Sequence, residues 1–168
     1  MLKLATPVTA FAGYVLDTAS SAVGQVVTLT GYGNTGVGGN GYTSGTFGTL
    51  YYGTNTYIGV YSDVPSAYAY QYTETFGGGT PDVTVAPGDS GGGSLLDVGG
   101  TWELVGVHDF IACATTGCIA NSSYGQYGGD TSIFADQAWI ESVVPEPAPA
   151  AVLVVALGLL GVARARRR

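Results

Sequence analysis

Alternation marks the clearest strand. In "AYAYQYTETF", Tyr68, Tyr70, Tyr72, Glu74 and Phe76 fall on one face, and Ala67, Ala69, Gln71, Thr73 and Thr75 on the other. A period of two predicts a strand lying between two environments. "VGQVVTLT" (23–30) is rich in β-branched residues and predicts another. "SLLDV" and "TWELVGV" are separated by Gly99 and Gly100, which supply the positive φ angles of a two-residue hairpin turn. Only "TSIFADQAWIESVV" has helical spacing. Thr131 or Ser132 caps it, Ile133, Ile140 and Val144 share a face, and Pro145 ends it. "GYGNTGVGGNGYTSG" (31–45) predicts a solvated loop, for it has neither the lysine nor the following helix of a phosphate cradle. The pattern is a mainly β body with one C-terminal helix and no internal repeat.

Composition narrows the picture. The 168 residues make one modest domain, and 28 glycines with only 10% charged residues suit short strands and tight turns rather than helices. All twelve acids lie at or before Glu146, where Lys3 is the lone base, and four arginines follow at 164–168. So acidic a body repels phosphate backbones, which sets nucleic acid aside as a partner. Cys113 and Cys118, in "CATTGC", either close one small disulfide loop in an oxidising compartment or remain buried thiols. Ligands are too few for a metal site, and nothing points to a cofactor.

The last 25 residues, "VPEPAPAAVLVVALGLLGVARARRR", divide into three. Prolines 145, 147 and 149 make residues 144–149 an extended spacer. Residues 148–163 carry no charge and predict a single transmembrane helix near the minimum length for a bilayer. The arginines of 164–168 should stay cytoplasmic, placing the body on the far side. This order resembles the PEP-CTERM sorting signal of exported bacterial proteins, with Pro145, Glu146 and Pro147 as its motif. The resemblance implies export, membrane attachment through the C-terminal helix, and an exosortase-type processing enzyme as a partner.

Ser90 sits in "PGDSGG" (87–92), where a serine in a tight turn suggests a nucleophile. A hydroxyl attacks at neutral pH only when a base takes its proton. "GDSGG" also fits G-x-S-x-G, and Asp97 and His108 follow it in α/β-hydrolase order. That fold needs a helix after the serine, however, and here a strand pattern and a Gly-Gly turn follow.

The better match is the chymotrypsin/trypsin-like serine protease family. "PGDSGG" resembles its nucleophile loop, and "LTGYGNTG" (29–36) its Gly-Trp-Gly turn, with Tyr32 for the tryptophan. "ELVGVHDF" resembles its substrate-pairing strand, "SIFADQAWI" its C-terminal helix, and "MLKLATPVTA" the segment after its catalytic aspartate. These matches run in the family's own order through residues 1–143. They imply the second six-stranded antiparallel β-barrel of a two-barrel endopeptidase, acting on peptide or protein substrates.

In that family the catalytic histidine and aspartate precede the serine. The resemblance therefore implies that they lie in a missing amino-terminal half, and that the 168-residue chain alone is inactive. It makes Ser90 the nucleophile and assigns the oxyanion to the backbone N–H groups of Gly88 and Ser90. Asp89 supports the loop by pairing with an α-amino group in the missing half. Thr84 lies at the base of the specificity pocket with Val85 beside it, and no carboxylate there would recognise Lys or Arg. Gly93 replaces the usual proline and should loosen the strand start. His108 takes a position where the family has a serine; it reads as a hydrogen-bonded strand residue, with Asp109 facing away. A non-catalytic surface or matrix-binding module is the alternative.

Overall fold

The structure, a computed structural model, describes residues 4–6, 8, 10, 13–17, 21–61, 71–77 and 82–143. The sorting motif, the expected membrane span and the arginine tail at 144–168 lie outside the described residues, as do 67–70 of the alternating strand. Among the described residues no helix is long and apolar enough to cross a membrane. The chain divides into two units, residues 8–136, and residues 1–7 with 137–168.

In chain order the elements are β1 (Val15–Leu16), β2 (Val26–Gly31), β3 (Gly36–Val37), β4 (Gly41–Tyr42), β5 (Tyr51–Tyr61), β6 (Gln71–Thr75), β7 (Gly93–Val98), β8 (Thr101–Ala112), β9 (Tyr127–Ser132) and α1 (Ile133–Val143). The fold is mainly β with one short helix. Six strands pair antiparallel in the order β8-β7-β2-β5-β6-β9, and β9 pairs again with β8, so the hydrogen bonding runs in a closed ring. β1 joins β8 in parallel, outside that ring.

The expected hairpin is β7–β8. Val98 pairs with Thr101, Gly99 and Gly100 both have positive φ (62° and 90°), and the Asp97 carboxylate accepts the Gly100 N–H at 2.7 Å. β2 alternates as its sequence requires: Val26 is exposed, while Val27 and Leu29 are buried and join Ala22, Tyr57, Val85 and Val105 in a small core. Ser132 caps α1 through its Oγ, which accepts the Ala135 N–H at 3.2 Å. Desolvation raises the Asp136 carboxyl, in the first turn, above its ordinary range.

β5 has no counterpart in the sequence reading. Its glycines break the alternation: Gly53 lies so close to Val83 that a Cβ there would come within 2.7 Å of Val83 Cγ2. That contact brings residues 82–85 along β5. Val83 N–H donates to Thr54 C=O at 3.0 Å, and Asn55 Nδ2 donates to Val83 C=O at 2.7 Å. The segment entering the Ser90 loop is thereby fixed to the sheet. Residues 31–45, expected as a solvated loop, instead fold back as the small β3–β4 hairpin. Asn34 Oδ1 closes the loop by accepting the N–H groups of Gly45 (2.9 Å) and Thr46 (3.1 Å).

Candidate active site

Residues 86–92 form two consecutive turns. Asp89 N–H donates to Ala86 C=O at 3.0 Å across Pro87 and Gly88, and Gly88 has φ 100°. Proline second and a left-handed glycine third are what a type II turn demands. Gly92 N–H then donates to Asp89 C=O at 2.8 Å across Ser90 and Gly91, with Gly91 at φ 85°. Ser90 stands exposed at the corner of this second turn. Gly92 tolerates no side chain: a Cβ would sit 2.5 Å from Thr30 O and 2.9 Å from both Asp89 O and His108 Cδ2.

The Gly31-Tyr32-Gly33-Asn34 segment clamps the first turn. Asp89 Oδ1 accepts the Gly33 N–H at 2.7 Å, and its Oδ2 accepts the Ala86 N–H at 2.9 Å. Expected to look to a missing half for its partner, Asp89 is bonded within this chain. Two main-chain donors on an acidic side chain are charge-assisted hydrogen bonds, among the stronger ones available. Asn34 holds the same turn from its other side, donating to Pro87 C=O from its N–H (3.0 Å) and its Nδ2 (2.9 Å). In a planar trans peptide the C=O and the following N–H point oppositely. Fixing the Pro87 carbonyl on Asn34 therefore aims the Gly88 N–H the other way. Among the described residues neither the Gly88 nor the Ser90 N–H has a protein acceptor.

Two cavities adjoin the loop. The one beside Ser90, about 230 Å³, is walled by Val85, Ala86 and Pro87 on one side and by Asp109, Phe110 and Ile111 on the other. Thr84 lines instead a larger cavity of about 410 Å³, along with Val85, Asp89 and the aromatic residues Tyr51, Tyr52 and Phe76. The Thr84 hydroxyl is buried there without a partner among the described residues. Gly93, expected to loosen the start of its strand, is held: its C=O accepts Thr30 Oγ1 at 2.9 Å, and a Cβ would lie 2.7 Å from Leu104 Cδ1.

His108 is 4% exposed, with Nδ1 2.8 Å from Asp130 Oδ1 and Nε2 3.2 Å from Thr30 O. No described contact joins it to Ser90 Oγ. Asp109, its neighbour, is exposed beside a register shift between His108 and Phe110. Asp130 is fully buried and also accepts Tyr57 Oη–H and, at 2.5 Å, Ser94 Oγ–H. Sequence reasoning missed Asp130, Tyr57, Ser94 and Asn34; a lone aspartate between two glycines and a β-branched residue was the one available signal of a buried acid in a strand. Cys113 and Cys118 are joined as a disulfide, with Cα atoms 6.3 Å apart. Among the described residues no group of acidic, histidine or cysteine side chains could hold a metal ion.

An exposed serine on a tight turn with two outward amides, set on a closed antiparallel ring, is the arrangement that a serine hydrolase site requires. The sequence matches the family model Trypsin over residues 1–127 of the 168. The chain belongs to the trypsin family, a family of serine proteases whose substrates are peptides and proteins. No curated protein matches its sequence.

Proposed function

We propose that this chain is the nucleophile-bearing half of an exported serine endopeptidase, its ring of strands forming the second barrel of a two-barrel enzyme. The observation that carries the reading is the exposed Ser90 hydroxyl beside two uncommitted amides, Gly88 N–H and Ser90 N–H. Ser90 Oγ attacks the scissile carbonyl carbon as a base takes its proton. The carbonyl oxygen becomes an oxyanion and moves into reach of the two amides. Collapse of the tetrahedral species expels the amine, which takes the proton back, and water then hydrolyses the acyl-enzyme. The base comes from outside residues 1–168, because their only histidine is committed to Asp130 and Thr30. The small pocket walled by Val85 and Phe110 receives the side chain preceding the cut; of the two acids along it, Asp109 is exposed and Asp89 is held by the Gly33 and Ala86 amides.

A fluorophosphonate probe tests this reading. The 168-residue chain is expected to label at least about a hundredfold more slowly than the product of the frame extended upstream of Met1, since general-base help is worth about 10²–10⁴. Ser90→Ala should abolish labelling of the extended protein. Equal labelling of both, or none of either, overturns the reading, and the second outcome favours a non-catalytic binding module.

The tail completes the proposal. Three prolines, an uncharged 148–163 stretch and terminal arginines support a sorting signal that attaches the protein to the membrane, with an exosortase-type enzyme acting near Pro145-Glu146-Pro147. Deleting 144–168 is expected to move the protein from the membrane fraction to the soluble fraction. A deletion variant that still sediments with membranes rules the signal out.

A further inference from the structure

His108 is the only histidine of the chain, and the reaction makes no direct use of it. Yet it is tied to the Ser90 turn through both its main chain and its ring. Its main chain brackets the end of the turn: His108 C=O accepts the Gly91 N–H at 2.9 Å, and His108 N–H donates to Gly92 C=O at 2.9 Å. Its ring lies directly beneath, since a Cβ on Gly92 would meet His108 Cδ2 at 2.9 Å. The ring in turn is held from β9 by Asp130 Oδ1 and from β2 by Thr30 O. Asp130 is itself fastened to β5 by Tyr57 and to β7 by Ser94. Five strands therefore converge on one buried polar cluster, and His108 joins it to the turn through both its N–H and its C=O.

A buried polar cluster is an expensive way to fill a core. An apolar side chain of similar size would fill the space without desolvating a carboxylate, and replacing buried polar networks by apolar groups is often neutral or stabilising. What such a network adds is direction, because its hydrogen bonds are satisfied in one arrangement only. At His108 that direction sets where β8 presents its C=O and N–H to Gly91 and Gly92. The β8–β9 register holds through His108, which faces Asp130, and shifts immediately after it, before Phe110, so His108 is the last residue before the ladder breaks step.

We propose that His108 is a positioning residue for Ser90: its Nδ1–H bond to Asp130 orients the β8 backbone that holds the Asp89–Gly92 turn. This rests on the protease reading for its significance, but the tether itself does not depend on catalysis.

Amide hydrogen exchange in the full 168-residue chain, kept in detergent for its apolar tail, reads the tether directly at Gly91. His108→Asn places a donor where Nδ1 stands; His108→Gln carries its donor past Asp130; His108→Leu keeps volume and has none. Gly91 protection in His108→Asn is expected within about threefold of wild type. It should fall at least about tenfold in His108→Gln and His108→Leu, with Val27 and Leu29 in β2 unchanged as the measure of an intact fold. If His108→Leu fails to fold, the Asn–Gln contrast carries the test alone. Equal Gly91 protection in the Asn and Gln variants, or a loss spread evenly over β2, overturns the proposal. Ser90 labelling of the upstream-extended protein is scored separately. An unreactive wild-type Ser90 with the Asn–Gln contrast intact removes the protease reading and leaves the tether standing.

Discussion

Asp130→Ala should lower the unfolding free energy by about 3–5 kcal/mol, the usual result of removing one member of a buried charged or charge-accepting pair. Three donors converge on this carboxylate from strands far apart in the chain: Tyr57 and Ser94 through hydroxyls, His108 through its ring. Alanine takes this acceptor from all three inside the ring, where they are buried, and adds a cavity. Ser94→Ala gives the scale for a milder lesion. It removes one neutral donor and leaves the acid two partners, so about 1 kcal/mol is expected. Urea denaturation followed by tryptophan fluorescence separates the two. A loss for Asp130→Ala no larger than that for Ser94→Ala means that the cluster does not behave as a unit.

Gly31→Ala acts on the other side of the loop and should injure reactivity as well as stability. Gly31 lies against the Asp89 carboxylate, and an added Cβ would fall within 2.6 Å of Asp89 Cγ and closer still to Oδ1. The carboxylate has to swing away, giving up the N–H groups of Gly33 and Ala86. Losing two charge-assisted hydrogen bonds costs about 2–4 kcal/mol if water does not reach the vacated amides. The turn then no longer holds the Gly88 N–H in place, and loss of one oxyanion donor lowers turnover by about 10²–10³. Fluorophosphonate labelling of the upstream-extended Gly31→Ala protein should fall accordingly. Gly39→Ala, in the same loop, is the control: its Cβ meets nothing within 4 Å, and its effect should stay within about 0.5 kcal/mol. Similar behaviour of the two variants refutes the slot around Asp89.

The contrast between these two sites explains what the sequence revealed. Turn chemistry is local. Pro87-Gly88 and Gly99-Gly100 carry their backbone angles with them, so the nucleophile loop and the β7–β8 hairpin could be read directly. The Ser132 cap is local too, one hydroxyl three residues from the amide it accepts. Asp130 was invisible for the opposite reason. Its partners lie 73, 36 and 22 residues away, and only closure of the strand ring assembles them. β5 escaped because Gly53 and Gly59 interrupt its alternation, and what makes Gly53 necessary is Val83, a contact with no trace in the pattern. Asp89 is an intermediate case. Family resemblance located the residue, but its bond to the Gly33 N–H spans 56 residues and could not be read from the loop alone.

β1 is only two residues long, yet its position on β8 matters beyond its size. β7 occupies one edge of β8 along Thr101–Val107, and β9 takes the opposite edge from Gly106 onward. That leaves Glu103 and Leu104 with an open side, which Val15 and Leu16 cover, followed by the Asp17 N–H donating to Leu104 C=O at 3.0 Å. Strip away these residues and a strand that also pairs with β7 and β9 offers bare peptide groups to any extended neighbour, the template on which chains stack into insoluble cross-strand assemblies.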